Sequence, residues 1–395
     1  MIQDNDAVIV SSIRTALGAY NGTLSSMDAT DLGAIVIREA VKKAGIQKSD
    51  VQEIIMGMVL PCGYGQNPAR QAAIRAEMPM EPGGLTVNKV CGSGLMSVVL
   101  ASELIKSGYA EVVVAGGMEN MSKAPYYLPN ARWGARMGDS PLMDHMVHDG
   151  LWDINNNYHM GTTNDIISRE WEISREDQDK YALGSYDKAL KSIREGVFKD
   201  EIVPVVMKSK KGDVVFDTDE CPRATSLELL SKMKPAFTKD GFATAGNASV
   251  ISDGAAAAVV MSYKKAKALG LKPLVKIVAS GSAGVDLPHV LMAPIKSIPH
   301  VCRRAGIEIK DIGLQEINEA FSGSTLAVMK ELKLDREIVN VNGGSVALGH
   351  PIGASGARVL ATLIHEMKRR KTKLGAASLC LGGAEAVTMI VENIE

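Results

Sequence analysis

The stretch KAGIQKSDVQEI (residues 43–54) returns later in the chain as RAGIEIKDIGLQEI (304–317). Three further correspondences follow in the same order. Val87-Asn88 and Val341-Asn342 each precede a helix-like run. The runs themselves, GSGLMSVVLASELIK (92–106) and ASGARVLATLIHEMK (354–368), share a pattern of small and apolar residues. Gly116-Gly117 and Gly382-Gly383 each close a strand-like run. One short match would be chance. Four in one order argue for duplication, with two similar α/β halves packed on each other.

Working outward, Ala7–Ser12 reads as a strand. Residues 28–44 read as a helix, with Asp28 or Thr30 as N-cap and Gly45 as the stop. Residues 51–59 and 111–115 read as strands, with a helix over 94–107 between them. This alternation predicts an α/β fold with a largely buried sheet. The halves differ in two ways. The second carries an insertion between Val341-Asn342 and its helix, holding Gly349-His350-Pro351. The first ends in a long excursion, residues 119–248, with all three tryptophans and a helix over 174–195 that opens on Ser174 and Asp177. So long a loop is improbable within one compact unit. The expected domains are therefore 1–118 (closed by about 249–270), a loop or lid domain 119–248, and 271–395.

Composition bounds the function. At about 150 residues per domain, 395 residues predict two or three domains. The chain is 46% hydrophobic and 23% charged with a net charge of −1, so it reads as a soluble globular protein. There is no basic excess for nucleic acid, and runs such as Ala255–Met261 are too short to span a membrane. The N-terminal MIQDNDAVIV lacks the pattern of a secretory or transit peptide. Five cysteines, with no C-x-x-C pair, favour neither a disulfide framework nor a zinc site and suggest a reducing compartment, the cytoplasm.

Four residues could do chemistry. Cys91 sits in VNKVCGSGLMSVV between a strand-like run and a helix. A thiol there faces unsatisfied N–H groups and the positive helix end, which predicts a lowered pKa and a nucleophile. The alternative is a core cysteine beside packing glycines. His350, in GHPIGASG, lies before the equivalent helix of the other half. If a pseudo-twofold axis relates the halves, the two helix ends converge and a Cys–His pair results. Cys380, in SLCLGG, would otherwise be a buried thiol. Gly382 beside it can offer a backbone N–H to a substrate oxygen, and a thiol titrating near 8.5 can take and return a proton. Asn318, in EINEAFS, can orient a water or polarise a carbonyl; alone it would be a turn residue. The run Lys208, Lys210, Lys211 reads as a solvated face.

Taken together, these segments resemble the thiolase family. The likeness runs from RTALGAY (14–20) through GQNPARQ (65–71), VCGSG (90–94), GGMENMS (116–122), YHMG (158–161), TAGNAS (244–249), NEAF (318–321) and GHPIGASG (349–356) to CLGG (380–383). The resemblance implies a five-layered αβαβα fold and a homo-oligomer, dimer or tetramer. It implies an acetyl-CoA C-acetyltransferase of fatty acid metabolism, joining two acetyl-CoA into acetoacetyl-CoA and CoA or running in reverse. Cys91 would be acylated, with His350 activating it and Cys380 removing the α-proton of the second thioester. Asn318 would hold a water at one oxyanion hole, and the N–H groups of Cys91 and Gly382 would form the other. Arg223 would stand near the nucleotide of CoA and Ser249 near the pantetheine, with Phe237 and Phe321 lining the channel. His159 and Met160 resemble the pair of enzymes acting on short substrates. CoA thioesters are substrates here, and neither a cofactor nor a metal is expected.

The sequence also departs from the family. Where the family reads C-x-G-G-G-(Met/Gln)-G, this chain has CLGGAEA. Glu385 would disfavour a Cys380 thiolate; the expected alternative is that it either points into solvent or pairs with a base. Leu291 and Met292 replace a small turn near the acyl pocket, and Met96 stands where a basic residue is common. The competing readings are a thiolase of other chain length and an acyl-CoA-binding protein without turnover. A decarboxylating ketoacyl synthase is disfavoured, because that group typically has histidine where Asn318 stands.

Overall fold

The alternation read from the sequence is present in the computed structural model, which describes residues 2–208 and 212–394; Lys210 and Lys211 lie outside the described residues. The first half runs β1 (Ala7–Thr15), α1 (Ala29–Ala44), β2 (Glu53–Gly57), α2 (Pro68–Arg75), β3 (Gly83–Val87), α3 (Ser93–Lys106) and β4 (Val112–Asn120). The excursion carries α4 (Met160–Glu170) and α5 (Arg175–Glu195), and the chain returns as β5 (Ser252–Ser262). The second half runs β6 (Val275–Gly284), α6 (Pro294–Ala305), β7 (Leu314–Ile317), α7 (Ser322–Leu332), α8 (Ile352–Arg370), β8 (Leu374–Leu381) and β9 (Glu385–Asn393).

Strand order carries the duplication. The first half is ordered β3-β2-β4-β5-β1 and the second β7-β8-β9-β6, element for element the same path. Where β3 would stand in the second half, a single parallel bridge joins Gln315 to Val339. The halves touch where β1 meets β6, antiparallel, at Val8–Lys276 and Ile9–Val275. That contact makes one 11-stranded sheet, counting the short strands Gly18–Ala19 and Ile202–Val203.

The side-chain period of two, shifted once in β1 by a bulge between Ile9 and Ser11, explains the layers. On β1, Val8, Val10 and Ile13 pack with Leu32, Val36 and Ile37 of α1. Ala7 and Ile9 point the other way, into a cluster holding Leu95 and Val98 of α3 and Val359, Leu360 and Leu363 of α8. On the far side, Ala376 and Ile390 pack with Ile298 and Val301 of α6 and Val328 of α7. The layers are α1/α2, sheet, α3/α8, sheet and α6/α7. The two central helices meet nearly backbone to backbone: a Cβ on Gly94 would lie 2.8 Å from Ala357 N, and one on Gly356 would lie 2.3 Å from Leu95 N. Only glycine permits that approach, and it brings the N-termini of α3 and α8 together at the seam.

The excursion is bolted on by a buried charge cluster. Arg14 Nε bonds Glu201 at 2.6 Å, and its Nη1 and Nη2 bond Asp219 at 2.7 and 2.9 Å. Helix α5 opens with the capping box read from Ser174 and Asp177 and ends at Gly196 in the left-handed region. Among the described residues, no helix is long and apolar enough to cross a membrane.

Candidate active site

Cys91 lies one residue before the N-cap of α3, Gly92, on a tight turn that places Val90 at φ +46°. Ser93 Oγ closes this turn, accepting from Lys89 N at 2.8 Å and donating to Val90 O at 2.6 Å. The N–H groups of Cys91 and Gly382 both point at the Cys91 sulfur and favour its thiolate. The expected lowering of its pKa is nevertheless overturned. Burial outweighs these donors and pushes the thiol up to about 12, with the charge of Glu119 adding to the effect. Cys380, near the end of β8, is 4% exposed. Burial, then the neighbouring Cys91, raises its thiol well above the ordinary range, which corrects the expectation of a value near 8.5. Both sulfurs therefore rest as neutral thiols, close enough to influence each other.

His350 enters after Gly349, its N–H bonded to Val250 O at 2.8 Å. Its Nδ1 lies 2.6 Å from Ser355 Oγ, and that hydroxyl donates to Pro351 O at 2.9 Å. A hydroxyl has one proton. Since Ser355 gives its proton to the carbonyl, the imidazole must donate from Nδ1, which leaves Nε2 as a free lone pair. Burial, aided by the charge of Arg358, lowers the His350 pKa to about 3, so the ring is a neutral base. Nε2 faces Asn318 Nδ2 at 3.5 Å. The Asn318 oxygen is occupied by Ser345 Oγ at 2.6 Å, and Ser345 in turn accepts from Arg358 Nη2 at 2.6 Å. This chain turns the amide NH2 of Asn318 toward His350. Ile352, two residues beyond His350, packs in one small cluster with Cys91, Val59 and Leu60.

On the Cys380 side, one cluster holds Met160, Phe237, Phe321, Leu291, Met292 and Cys380. His159 is the N-cap of α4: its Nδ1 accepts from Gly161 N at 3.1 Å, and its ring stacks on Phe237 at 4.4 Å. Burial lowers its pKa to about 4. A Cβ on Gly161 would meet the Phe237 ring at 2.1 Å, so glycine is what lets the ring lie against α4. Asp165 of α4 fixes the loop after Phe237, accepting from Thr238 Oγ1 at 2.6 Å and Phe242 N at 2.8 Å. Phe237 meets Phe321 edge-on at 5.8 Å. Ser249 N bonds Ala320 O at 3.0 Å, placing Ser249 beside Phe321. Arg223 stands apart, exposed, over the Tyr186 ring and 3.4 Å from Ala245 O. The loop 245–249 connects it to Ser249.

Two departures resolve plainly. Glu385 pairs with a base, Lys89 Nζ, at 2.5 Å. Met96 is partly buried against the central cluster.

Residues 7–264 match the model for the thiolase N-terminal domain and residues 271–393 that for the thiolase C-terminal domain. The chain belongs to the thiolase family. It is 52% identical to an acetyl-CoA acetyltransferase of Cupriavidus necator, over 98% of this chain and 99% of that one. It is 51% identical to another of Pseudomonas aeruginosa, over 97% and 98% of the two chains. The crystal structure of the Bacillus anthracis acetyl-CoA acetyltransferase superposes with a TM-score of 0.97 at 43% identity, covering 98% of this chain and 99% of that one.

The thiolase site also contains supports that motif reading missed. Glu119 is fully buried and accepts from Val59 N, Leu60 N and Gly353 N, at 2.9, 3.2 and 2.9 Å. It ties the loop after β2 to the first turn of α8, and burial raises its pKa to about 7. Glu319 accepts from Tyr181 Oη and Ser185 Oγ at 2.9 Å each and from Val346 N at 3.0 Å, holding the segment before His350. Both lie inside quoted motifs, GGMENMS and NEAF. The available signal was an acid within an apolar, glycine-bearing stretch.

Proposed function

We infer that this thiolase is an acetyl-CoA C-acetyltransferase, condensing two acetyl-CoA to acetoacetyl-CoA and CoA through an acyl-cysteine, or running the reverse thiolysis. The observation that carries this reading is the contact between the Cys91 turn and the Cys380 turn, where a Cβ on Gly92 would meet Leu381 at 2.4 Å and one on Gly382 would meet Val90 at 3.1 Å. As Cys91 attacks the first thioester, its proton passes to His350 Nε2. The Cys91 and Gly382 N–H groups receive the oxyanion, a contribution of ~3–4 kcal/mol for each donor. The departing CoA thiolate takes the proton of Cys380. The resulting Cys380 thiolate, disfavoured by burial, is basic enough to remove the α-proton of a second acetyl-CoA. The enolate, held by His350 and a water on Asn318, attacks the acetyl-cysteine. The Cys91 thiolate leaves and recovers its proton from His350. Each borrowed proton is returned.

Phe237, Phe321 and Ser249 line the pantetheine channel in this reading, and Arg223 stands at its outer end, toward the nucleotide. His159 and Met160, with Leu291 and Met292, close the acyl end. Bulky residues there support a short acyl group over a longer chain. The exposed Tyr126, Trp133, Met137 and Leu142 of one surface loop, and Leu85 on the edge strand β3, support a homo-oligomer. The five free cysteines suit the cytoplasm.

Intact-mass spectrometry with acetyl-CoA tests the assignment. The native chain and Cys380→Ser acquire one acetyl group, and Cys91→Ala acquires none. Cys380→Ser yields no acetoacetyl-CoA; normal condensation by it would overturn its role. Thiolysis across 3-ketoacyl-CoA lengths, with and without a 2-methyl branch, tests the short acyl pocket.

A further inference from the structure

The oxyanion donors of this site come from two turns in different halves, and each turn is strained. Val90, a β-branched residue, sits at φ +46°, and Ala384 at φ +64°. Left-handed backbone at such residues persists only where neighbours hold it. The turns lean on each other. A Cβ on Gly382 would meet Val90 Cγ1 at 3.1 Å, and one on Gly92 would meet Leu381 at 2.4 Å and Val387 at 2.7 Å. The outer flank of the second turn is fastened by backbone, with Val285 N bonded to Ala384 O at 2.9 Å and Glu385 paired opposite Gly284. The hairpin also closes the turn itself, with Leu381 paired opposite Glu385; toward the Cys91 turn, no strand pairing crosses among the described residues. There, among the described residues, one ion pair joins the turns: Lys89 Nζ to Glu385 Oε2 at 2.5 Å, with the side chains 23% and 43% exposed. Lys89 is two residues before the nucleophile, and Glu385 is three after Gly382.

We propose that the Lys89–Glu385 pair is a positioning latch that sets the Gly382 N–H against the Cys91 sulfur. It rests on the function inferred above and adds two residues that touch neither substrate nor reacting atoms. Because both partners reach solvent, the latch is open to salt screening.

The test uses the intact enzyme. Glu385→Gln and Lys89→Met should each lower the rate of Cys91 acetylation and kcat by about tenfold, because a small displacement of an oxyanion donor is amplified in rate. KM for acetyl-CoA should stay within about twofold, since binding groups are untouched. Lys89→Arg should recover most of the rate, and the exchanged pair Lys89→Glu with Glu385→Lys should recover more than either single exchange. Native kcat should fall between about 50 and 500 mM salt, while that of Glu385→Gln stays flat. Thermal midpoints close to native separate this result from unfolding. Native kcat and an unchanged salt response in Glu385→Gln would overturn the latch and leave the parent reading standing. Absence of an acetyl adduct on native Cys91 would instead sink the parent reading.

Discussion

Ser355→Ala isolates the orientation of one imidazole. Ser355 is fully buried and His350 is 6% exposed, so no solvent can replace the lost hydroxyl. In the native chain Ser355 accepts from His350 Nδ1 at 2.6 Å and thereby keeps the Nε2 lone pair free. Removal leaves a buried N–H unpaired, at a cost of about 1–3 kcal/mol. The ring escapes part of that cost by moving its proton to Nε2, which is the wrong tautomer for accepting a proton from Cys91. At 1.4 kcal/mol per factor of ten, the competent tautomer and the acylation rate fall by roughly 5- to 150-fold. The assay is single-turnover acetylation of Cys91 followed by mass spectrometry, with ¹⁵N imidazole shifts reporting the tautomer. The slowed rate should accompany a shift of protonation from Nδ1 to Nε2. Acetylation within twofold of native, or slow acetylation with Nδ1 still protonated, would refute the reasoning.

Gly161→Ala drives a methyl into the Phe237 ring; overpacking of about 1–3 kcal/mol should lower the thermal midpoint and raise KM for acetoacetyl-CoA. Asp219→Ala leaves the buried Arg14 guanidinium with Glu201 as its remaining carboxylate partner and should destabilise folding by about 3–5 kcal/mol, measured by denaturant titration. Glu316 carries a carboxyl raised to about 8, mainly by burial. Its folded-state pKa exceeds the unfolded value, so its favourable contribution is complete below about pH 4.5 and is lost as pH rises through about 8. The drop in thermal midpoint between pH 5 and 8 should therefore shrink in Glu316→Gln; an unchanged drop would count against that assignment.

Much of the fold was legible because the sequence states it twice. The repeat of QEI and Val-Asn marks β2 and β7 and the approach to α3 and α8; Gly-Gly falls just after β8 but in the middle of β4, which runs on to Asn120, and the strands themselves are equivalent in the sheet order. Cys91 and Cys380 were legible from their glycine-flanked turns. Their protonation was not, because a helix terminus is a local feature, whereas burial of the sulfur is set by residues from both halves. Ser345 and Ser355 escaped for a related reason. A serine inside an apolar run gives no sign of whether its hydroxyl turns back on its own helix or reaches a residue from a distant strand end. Glu385 was ambiguous until Lys89, nearly three hundred residues away in sequence, stood beside it.

The meeting of α3 and α8 through Gly94 and Gly356 leaves no space for even a methyl group. Fragility is therefore concentrated at a place that handles no substrate: the smallest side-chain enlargement there wedges the twin lobes apart and, in the proposed mechanism, draws Cys91 away from His350. Inactivating substitutions of this enzyme should accumulate along that helix crossing as densely as among the reacting groups, and they should disable catalysis while leaving every reacting group in the chain.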